Sequence, residues 1–239
     1  MALMSADGLL FLLRWIHFLA GITWIGLLYY FNLVQTPFFA ETDPPVRSAA
    51  IQKLVPGALW WFRWGAMVTF LSGWIIILHR MGLLGVRGFF DTSYGWAIFL
   101  GGMLGSFMWA NVWFVIWPNQ KVVIASATQV AQGGQALPDA PALGQRAGFA
   151  SRTNTLFSIP MLFYMGAASH FTLFGKVWRS QKVTMALLCA VIIIAIELNA
   201  LCGTSGPTKK PLTTIKGTLW AGFILSAIFY LLFETVMTG

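Results

Sequence analysis

A long apolar run near the start of the chain, residues 9–31, limits the fold more than any other stretch. It exceeds the roughly 20 apolar residues that a bilayer-spanning helix needs, and it contains the histidine His17. The hydrocarbon core offers an imidazole no hydrogen-bond partner, so such a ring must face protein, water or a ligand. The run therefore predicts a membrane helix with a functional group inside it.

The composition agrees with a membrane protein. Of the 239 residues, 58% are hydrophobic and 9% are charged, against roughly 25% charged residues in soluble domains. The first apolar run has no basic leader and no small-residue cleavage site, so we expect it to remain as a helix in the lipid bilayer. The net charge of +8 comes from residues between the apolar runs, where it sets topology and meets anionic lipid, and we infer no nucleic-acid partner.

Six apolar segments predict an all-α fold, a polytopic membrane helix bundle that forms a single membrane domain over residues 1–239. The predicted spans are 9–36, 62–82, 95–117, 155–176, 183–202 and 215–236. We expect the bundle to be completed by short interfacial helices, one of them over 46–55 after Pro44 and Pro45. Pro37 and Pro118 are expected to end the first and third spans.

The distribution of Lys and Arg predicts the orientation of the bundle. An even number of spans puts both termini on one side, and the loops after spans one, three and five carry most of the basic residues. The few on the opposite side include Arg14, Arg80 and Lys176. The positive-inside rule then predicts periplasmic termini in the inner membrane of a bacterium.

The longest connection, residues 121–154, is the part most like a soluble protein. We expect a helix over 122–132, a break at Gly133 and Gly134, and a second helix that starts near Asp139 and runs into the fourth span.

All three histidines of the chain fall in the predicted outer half of the bilayer. Span one enters from outside and reaches His17 after about 12 Å, while spans two and four reach His79 and His170 near their outer ends. Two imidazoles on different helices can hold the iron of a haem b, with the ring standing between the helices. We therefore predict that two of the three bind haem iron, and the pattern leaves open which two.

Arg14 and Arg80 flank these histidines on the outer side, where a guanidinium can pair with a haem propionate. Other roles remain open, because a membrane histidine can bond a neighbouring helix and an arginine can anchor a lipid headgroup. Glu197, costly inside a membrane, could carry a proton, pair with an arginine such as Arg152, or make a structural hydrogen bond. No residue is identified as catalytic.

The sequence is similar to that of a known family. Four stretches carry the resemblance: Trp15 to Phe39, Trp60 to Gly65, Asn111 to Lys121, and Ala150 to Asn154 together with Gly166 to His170. They resemble the N-terminal membrane domain of the membrane-bound urate oxidase family, over most of the chain.

The resemblance implies urate oxidation with electrons passed to a respiratory chain rather than directly to oxygen. In that family the membrane domain is often followed by a cytochrome c domain. This chain has no Cys-x-x-Cys-His motif, so we expect the cytochrome c to be a separate polypeptide. A weaker similarity, confined to the histidine-then-tryptophan pattern of span one, is to haem-binding membrane protoporphyrinogen oxidases, and it favours haem b by analogy.

Two functions follow as hypotheses. The first is a haem b-binding membrane oxidoreductase or electron-transfer protein, with cytochrome c or another respiratory-chain component as its partner. The alternative is a non-catalytic membrane subunit or anchor of a larger respiratory or photosynthetic complex. Transport is less favoured, because Glu197 is the only deeply placed acidic residue and no paired broken helices stand out.

Overall fold

The computed structural model describes residues 2–170, 172–175, 178–203 and 205–237, and every regular element in these ranges is helical. The main helices are α1 (Ala6–Glu41), α2 (Pro44–Lys53), α3 (Val55–Phe90), α4 (Ser93–Ala131), α5 (Ala140–His170), α6 (Arg179–Leu201) and α7 (Ile215–Val236). Short turns of helix at Ala2–Met4, Pro207–Lys209 and Lys210–Thr213 complete them. The predicted all-α class is confirmed.

Within the described ranges, five helices are long and apolar enough to cross a membrane, namely α1, α3, α4, α6 and α7. The protein is therefore a helical membrane bundle. The fourth predicted span, 155–176, falls largely on α5, which ends at His170. Residues 171 and 176 lie outside the described residues, and residue 176 is the Lys176 of the charge count. The less apolar sequence of α5 follows from its central position, where protein rather than lipid covers it and buries Thr153, Asn154, Thr155 and Ser158.

The prediction that Pro37 and Pro118 end their helices is wrong, because a turn of π-helix precedes each proline. The turns are Tyr30–Gln35 and Asn111–Ile116. In an α-helix the proline ring clashes with the carbonyl four residues earlier. The wider turn relieves this, with the amide of Thr36 bonding the Phe31 carbonyl five residues back. Both helices continue beyond the proline.

The expected pattern of the connections is confirmed in its main features. Helix α2 covers most of the predicted segment 46–55, although its place at a membrane interface stays a prediction. Helix α4 ends at Ala131, Gly133 takes a positive φ of 85°, and α5 begins at Ala140. Helix α3 runs eight residues past its predicted end at 82 and kinks at Gly85, whose φ of 72° suits glycine.

The bundle is built from closely packed antiparallel pairs. Helix α1 packs on α3 and α4 on α5, while α7 covers another side of α5. Glycines bring the backbones together: a Cβ on Gly65 of α3 would lie 3.2 Å from the Trp24 amide nitrogen of α1, and a Cβ on Gly222 of α7 would lie 2.9 Å from the Leu156 carbonyl oxygen of α5. Helices α3 and α4 also touch, whereas α1 and α5 touch each other much less, which leaves space between α1 and α5.

A buried polar network ties α4, α5 and α6 together. Asn111 donates to Asn154 Oδ1 at 2.9 Å and to Glu197 Oε2 at 3.1 Å, and Asn154 donates to the Met108 carbonyl at 2.9 Å. Arg152, one of the predicted partners of Glu197, donates instead to the Leu212 carbonyl. Of the roles considered for Glu197, the structural hydrogen bond is the one that the structure shows.

Candidate functional site

A cavity of about 810 Å³ lies between α1, α3, α4 and α5. Its walls are mostly aliphatic and aromatic, with glycines on α1, α3 and α4. Along α1 it extends from Arg14 to Tyr29, about 22 Å at 1.5 Å per residue. Because α1 and α5 pack only loosely, the cavity separates these two helices, and it is large enough for a cofactor.

His17 lines the cavity and is held by a serine on α3. Its Nδ1 lies 3.0 Å from Ser72 Oγ, and that hydroxyl donates its proton to the Val68 carbonyl at 2.6 Å. The hydroxyl therefore accepts from Nδ1–H, which assigns the ring proton to Nδ1. The ring also makes a hydrogen bond with the backbone of Thr69, one turn before Gly73. With the proton on Nδ1, Nε2 keeps its lone pair, the state in which a histidine binds a metal.

Gly73 makes room for this imidazole. A Cβ built on Gly73 would lie 2.9 Å from His17 Cε1 and 3.4 Å from Nδ1. Any side chain at this position would push the ring away from α3. The Ser72-Gly73 pair therefore both orients the ring and lets it lie flush against the helix.

Two arginines line the same cavity without an acidic partner. Arg14 is one turn before His17 on α1, and Arg80 comes from the carboxyl-terminal part of α3. The Arg80 guanidinium carbon lies 5.9 Å from the ring centre of Tyr94, and Arg80 Nε is buried without a hydrogen bond. Among the described residues, the one salt bridge joins Lys182 to Asp91 elsewhere. The cavity thus presents unpaired positive charge suited to an anionic group.

The other two histidines lie outside the cavity lining. His79 and His170 are exposed, and His170 Nδ1 bonds the Gly166 carbonyl of its own helix at 2.8 Å. Their neighbours Arg80 and Ser169 do line the cavity. Successive helical residues point about 100° apart, so the neighbours face inward and the histidines do not. The structure brings together His17, Arg14 and Arg80, and the cavity gives no support to a pair of histidines on one iron.

The cavity also contains residues that the sequence reasoning did not single out as site residues. Gly73, and Ser72 which contacts the His17 ring without lining the cavity, were visible only as small residues, and the thioethers of Met161 and Met165 on α5 gave no signal among the other apolar residues of that helix. Trp24 is almost fully buried and lines the cavity, with its Nε1 unpartnered. A search of the described residues finds no cluster of three or more His, Cys, Asp or Glu that could hold a metal ion.

Comparison with known proteins yields one family. The family model described as urate oxidase N-terminal matches residues 87–226, which is 140 of the 239 residues and hence more than half of the chain. The match covers α4, α5 and α6 and most of α7, whereas His17, Arg14 and Arg80 precede it. No curated protein and no solved structure matches this chain.

Proposed function

Because the chain belongs to the family of the urate oxidase N-terminal domain, we propose that it is a membrane oxidoreductase component that binds haem b and transfers electrons. The electrons would come from urate oxidation and pass to a separate cytochrome c or another respiratory-chain partner. The choice of urate as substrate and of a cytochrome c as partner is supported by the family resemblance alone. The choice of haem as cofactor is supported by the residues of the cavity.

The observation that carries the haem proposal is the tautomer of the His17 imidazole and its position in the cavity. Ser72 assigns the proton to Nδ1 and leaves Nε2 available inside an apolar cavity. A histidine that served only to join two helices would need nothing more than its bond to Ser72. It would need neither the adjacent glycine nor the open space beside the ring.

The remaining cavity residues fit the rest of a haem. Its volume of about 810 Å³ lies within the range of about 300–1,000 Å³ typical of cofactor and ligand pockets. On α4, Gly101, Gly102 and Gly105 contribute no side chain to the wall, which is lined there by the side chains of Met165, Ile77 and Met161 from the neighbouring helices. Arg14 and Arg80 supply two unpaired guanidinium groups for two propionates.

When bound, the haem would supply one-electron exchange. The chain itself would do the rest: His17 holds the iron, Ser72 keeps the imidazole in one tautomer, and the arginines balance the propionates. The apolar walls keep water from the iron and so influence its potential. No residue of the described chain is assigned to attack or deprotonate urate.

The proposed topology would orient the arginine end of the cavity towards the proposed partner. Arg14 and Arg80 lie at the end of the bundle where α1 begins and α3 ends. If the termini are periplasmic, as we propose, the arginine end of the cavity faces the compartment where a soluble cytochrome c would dock. Electrons would then leave from the end of the cavity nearest the outer surface.

The experiment is a comparison of absorption spectra of purified protein, oxidised and reduced, after expression with ample haem supply. We expect a Soret band in the wild type and in the His79→Ala and His170→Ala variants, and its loss in His17→Ala. The two exposed histidines are matched controls, since each substitution removes an imidazole without touching the cavity. A colourless wild type would overturn the haem proposal and favour the non-catalytic subunit or anchor.

A second experiment tests the substrate. Urate is added to a mixture of the oxidised haem protein and an oxidised cytochrome c, and we expect the cytochrome to become reduced. Failure to reduce it would overturn the assignment of urate as substrate.

A further inference from the structure

We propose that Met165 supplies the second axial ligand of the haem iron, through its thioether sulfur, opposite His17. This inference rests on the proposed function, because it needs the haem that His17 would hold. It names a residue on the wall of the cavity across from α1, where no histidine is available.

Met165 is on the correct side of the cavity. His17 is on α1 and lies against Gly73 of α3, while Met165 is on α5 and lies against Gly101 of α4, with its sulfur 3.3 Å from the position of a Cβ there. Helices α3 and α4 touch each other, with Ile77 Cδ1 2.9 Å from the position of a Cβ on Gly102, so the open part of the cavity lies between α1 and α5. A flat ring between α1 and α5 would meet the imidazole from one side and the thioether from the other.

The two side chains also lie at a similar depth. Arg80 of α3 contacts Tyr94 of α4, and Gly73 and Gly101 are each seven residues further into the bundle, about 10 Å at 1.5 Å per residue. The His17 ring contacts the first glycine and Met165 contacts the second. The two side chains therefore line the cavity at a similar depth rather than at different levels.

Met161, one turn deeper on α5, is the rival thioether. Its sulfur lies near Gly105, next to Ser106, whose hydroxyl accepts from Trp74 at 3.0 Å. This contact places Met161 at a depth near that of Gly73 as well. Met161 is only 7% exposed, however, whereas Met165 is half-buried. Met165 thus has the more accessible side chain of the two, which favours it as the ligand.

Histidine–methionine ligation has a functional consequence. A thioether stabilises ferrous over ferric haem relative to a second imidazole, so it raises the reduction potential. A higher potential suits a centre that must accept electrons from an organic substrate before passing them to a cytochrome c. Pairing His17 with another histidine would lower it.

The test compares the haem-loaded wild type with Met165→Leu, a substitution that conserves volume and should leave the fold intact. The two controls are Met161→Leu, which tests the rival thioether in the cavity lining, and Met103→Leu, at a residue of α4 that does not line the cavity. The readouts are the spin state by electron paramagnetic resonance, the near-infrared charge-transfer band of a thioether–iron bond, and the midpoint potential.

We expect low-spin ferric haem with the thioether band in the wild type and both controls. Met165→Leu should lose the band, become high-spin, bind cyanide more readily and titrate at a lower potential. An unchanged spectrum in Met165→Leu, or the same loss in Met161→Leu, His79→Ala or His170→Ala instead, would overturn the assignment while haem binding itself stands. A wild type without haem would instead overturn the proposed function, and this inference with it.

Discussion

Adding one methyl group at Gly73 should weaken haem binding without unfolding the bundle. In Gly73→Ala the new Cβ would lie 2.9 Å from His17 Cε1, whereas carbon atoms rest about 3.5–4.0 Å apart. The ring must therefore withdraw by about 0.6–1.1 Å. The side chains that bind a ligand tolerate displacements of only about 0.5 Å from their productive positions.

The displacement strains the hydrogen bond that orients the ring. The distance between His17 Nδ1 and Ser72 Oγ is 3.0 Å. Withdrawal of the ring would lengthen it towards or past the upper limit of about 3.2 Å for a good hydrogen bond. In the empty cavity the ring can swing aside, so the strain falls on the haem-bound state. Overpacking of this kind costs about 1–3 kcal/mol, which corresponds to about 5- to 150-fold weaker haem binding.

The assay is a titration of haem-free purified protein with haem, followed at the Soret band, alongside thermal unfolding. Gly82→Ala is the matched control, because it lies on the same helix and its Cβ would meet no heavy atom within 4 Å. Both variants gain about 1 kcal/mol of helix propensity, so this term cancels. Equal haem affinity in the two variants would refute the placement of the His17 ring as the ligand.

Two further predictions test other parts of the structure. Arg80→Gln should weaken binding of haem but not of haem whose propionates are esterified, because the esters carry no charge for the guanidinium to balance. The control is Arg87→Gln, on the exposed end of α3. Equal losses of affinity for both haems in Arg80→Gln would contradict a role of Arg80 in binding a propionate. Asn154→Leu should lower the free energy of unfolding by about 1–3 kcal/mol, since it removes the bond to the Met108 carbonyl and one acceptor of Asn111. Thermal or denaturant unfolding in detergent measures the second effect, and an unchanged unfolding midpoint would show that the network contributes nothing to stability.

The helices of this protein can be predicted from sequence because hydropathy and turn residues act locally. The break at Gly133 and the restart near Ala140 are visible as a glycine pair and a proline-containing start. The behaviour of Pro37 and Pro118 was not predictable in this way. A proline removes one backbone donor, and the sequence does not say whether the helix stops or widens into a π-turn to accommodate it.

Depth in the membrane can also be read from the sequence, whereas rotation about the helix axis cannot. Counting residues from the helix end put His17 beside Arg14 and Arg80, and the cavity contains all three. The same counting put His79 and His170 at a similar level but could not show which way they face. Hydropathy does not show which way a helix face points here, because lipid and the wall of an apolar cavity are both apolar surroundings for its side chains.

The length of α1 and α4 gives the molecule two unlike ends. These helices have 36 and 39 residues, about 54 and 58 Å, against about 30 Å of hydrocarbon. Because each passes through its proline without stopping, the surplus at their carboxyl ends can project from the bilayer together with α2 and the start of α5. The arginines of the cavity lie near the opposite face. Soluble proteins approaching from one compartment would thus meet the carboxyl ends of α1 and α4, while those from the other would meet the arginine end of the cavity and the last residues of α3, which is itself 36 residues long.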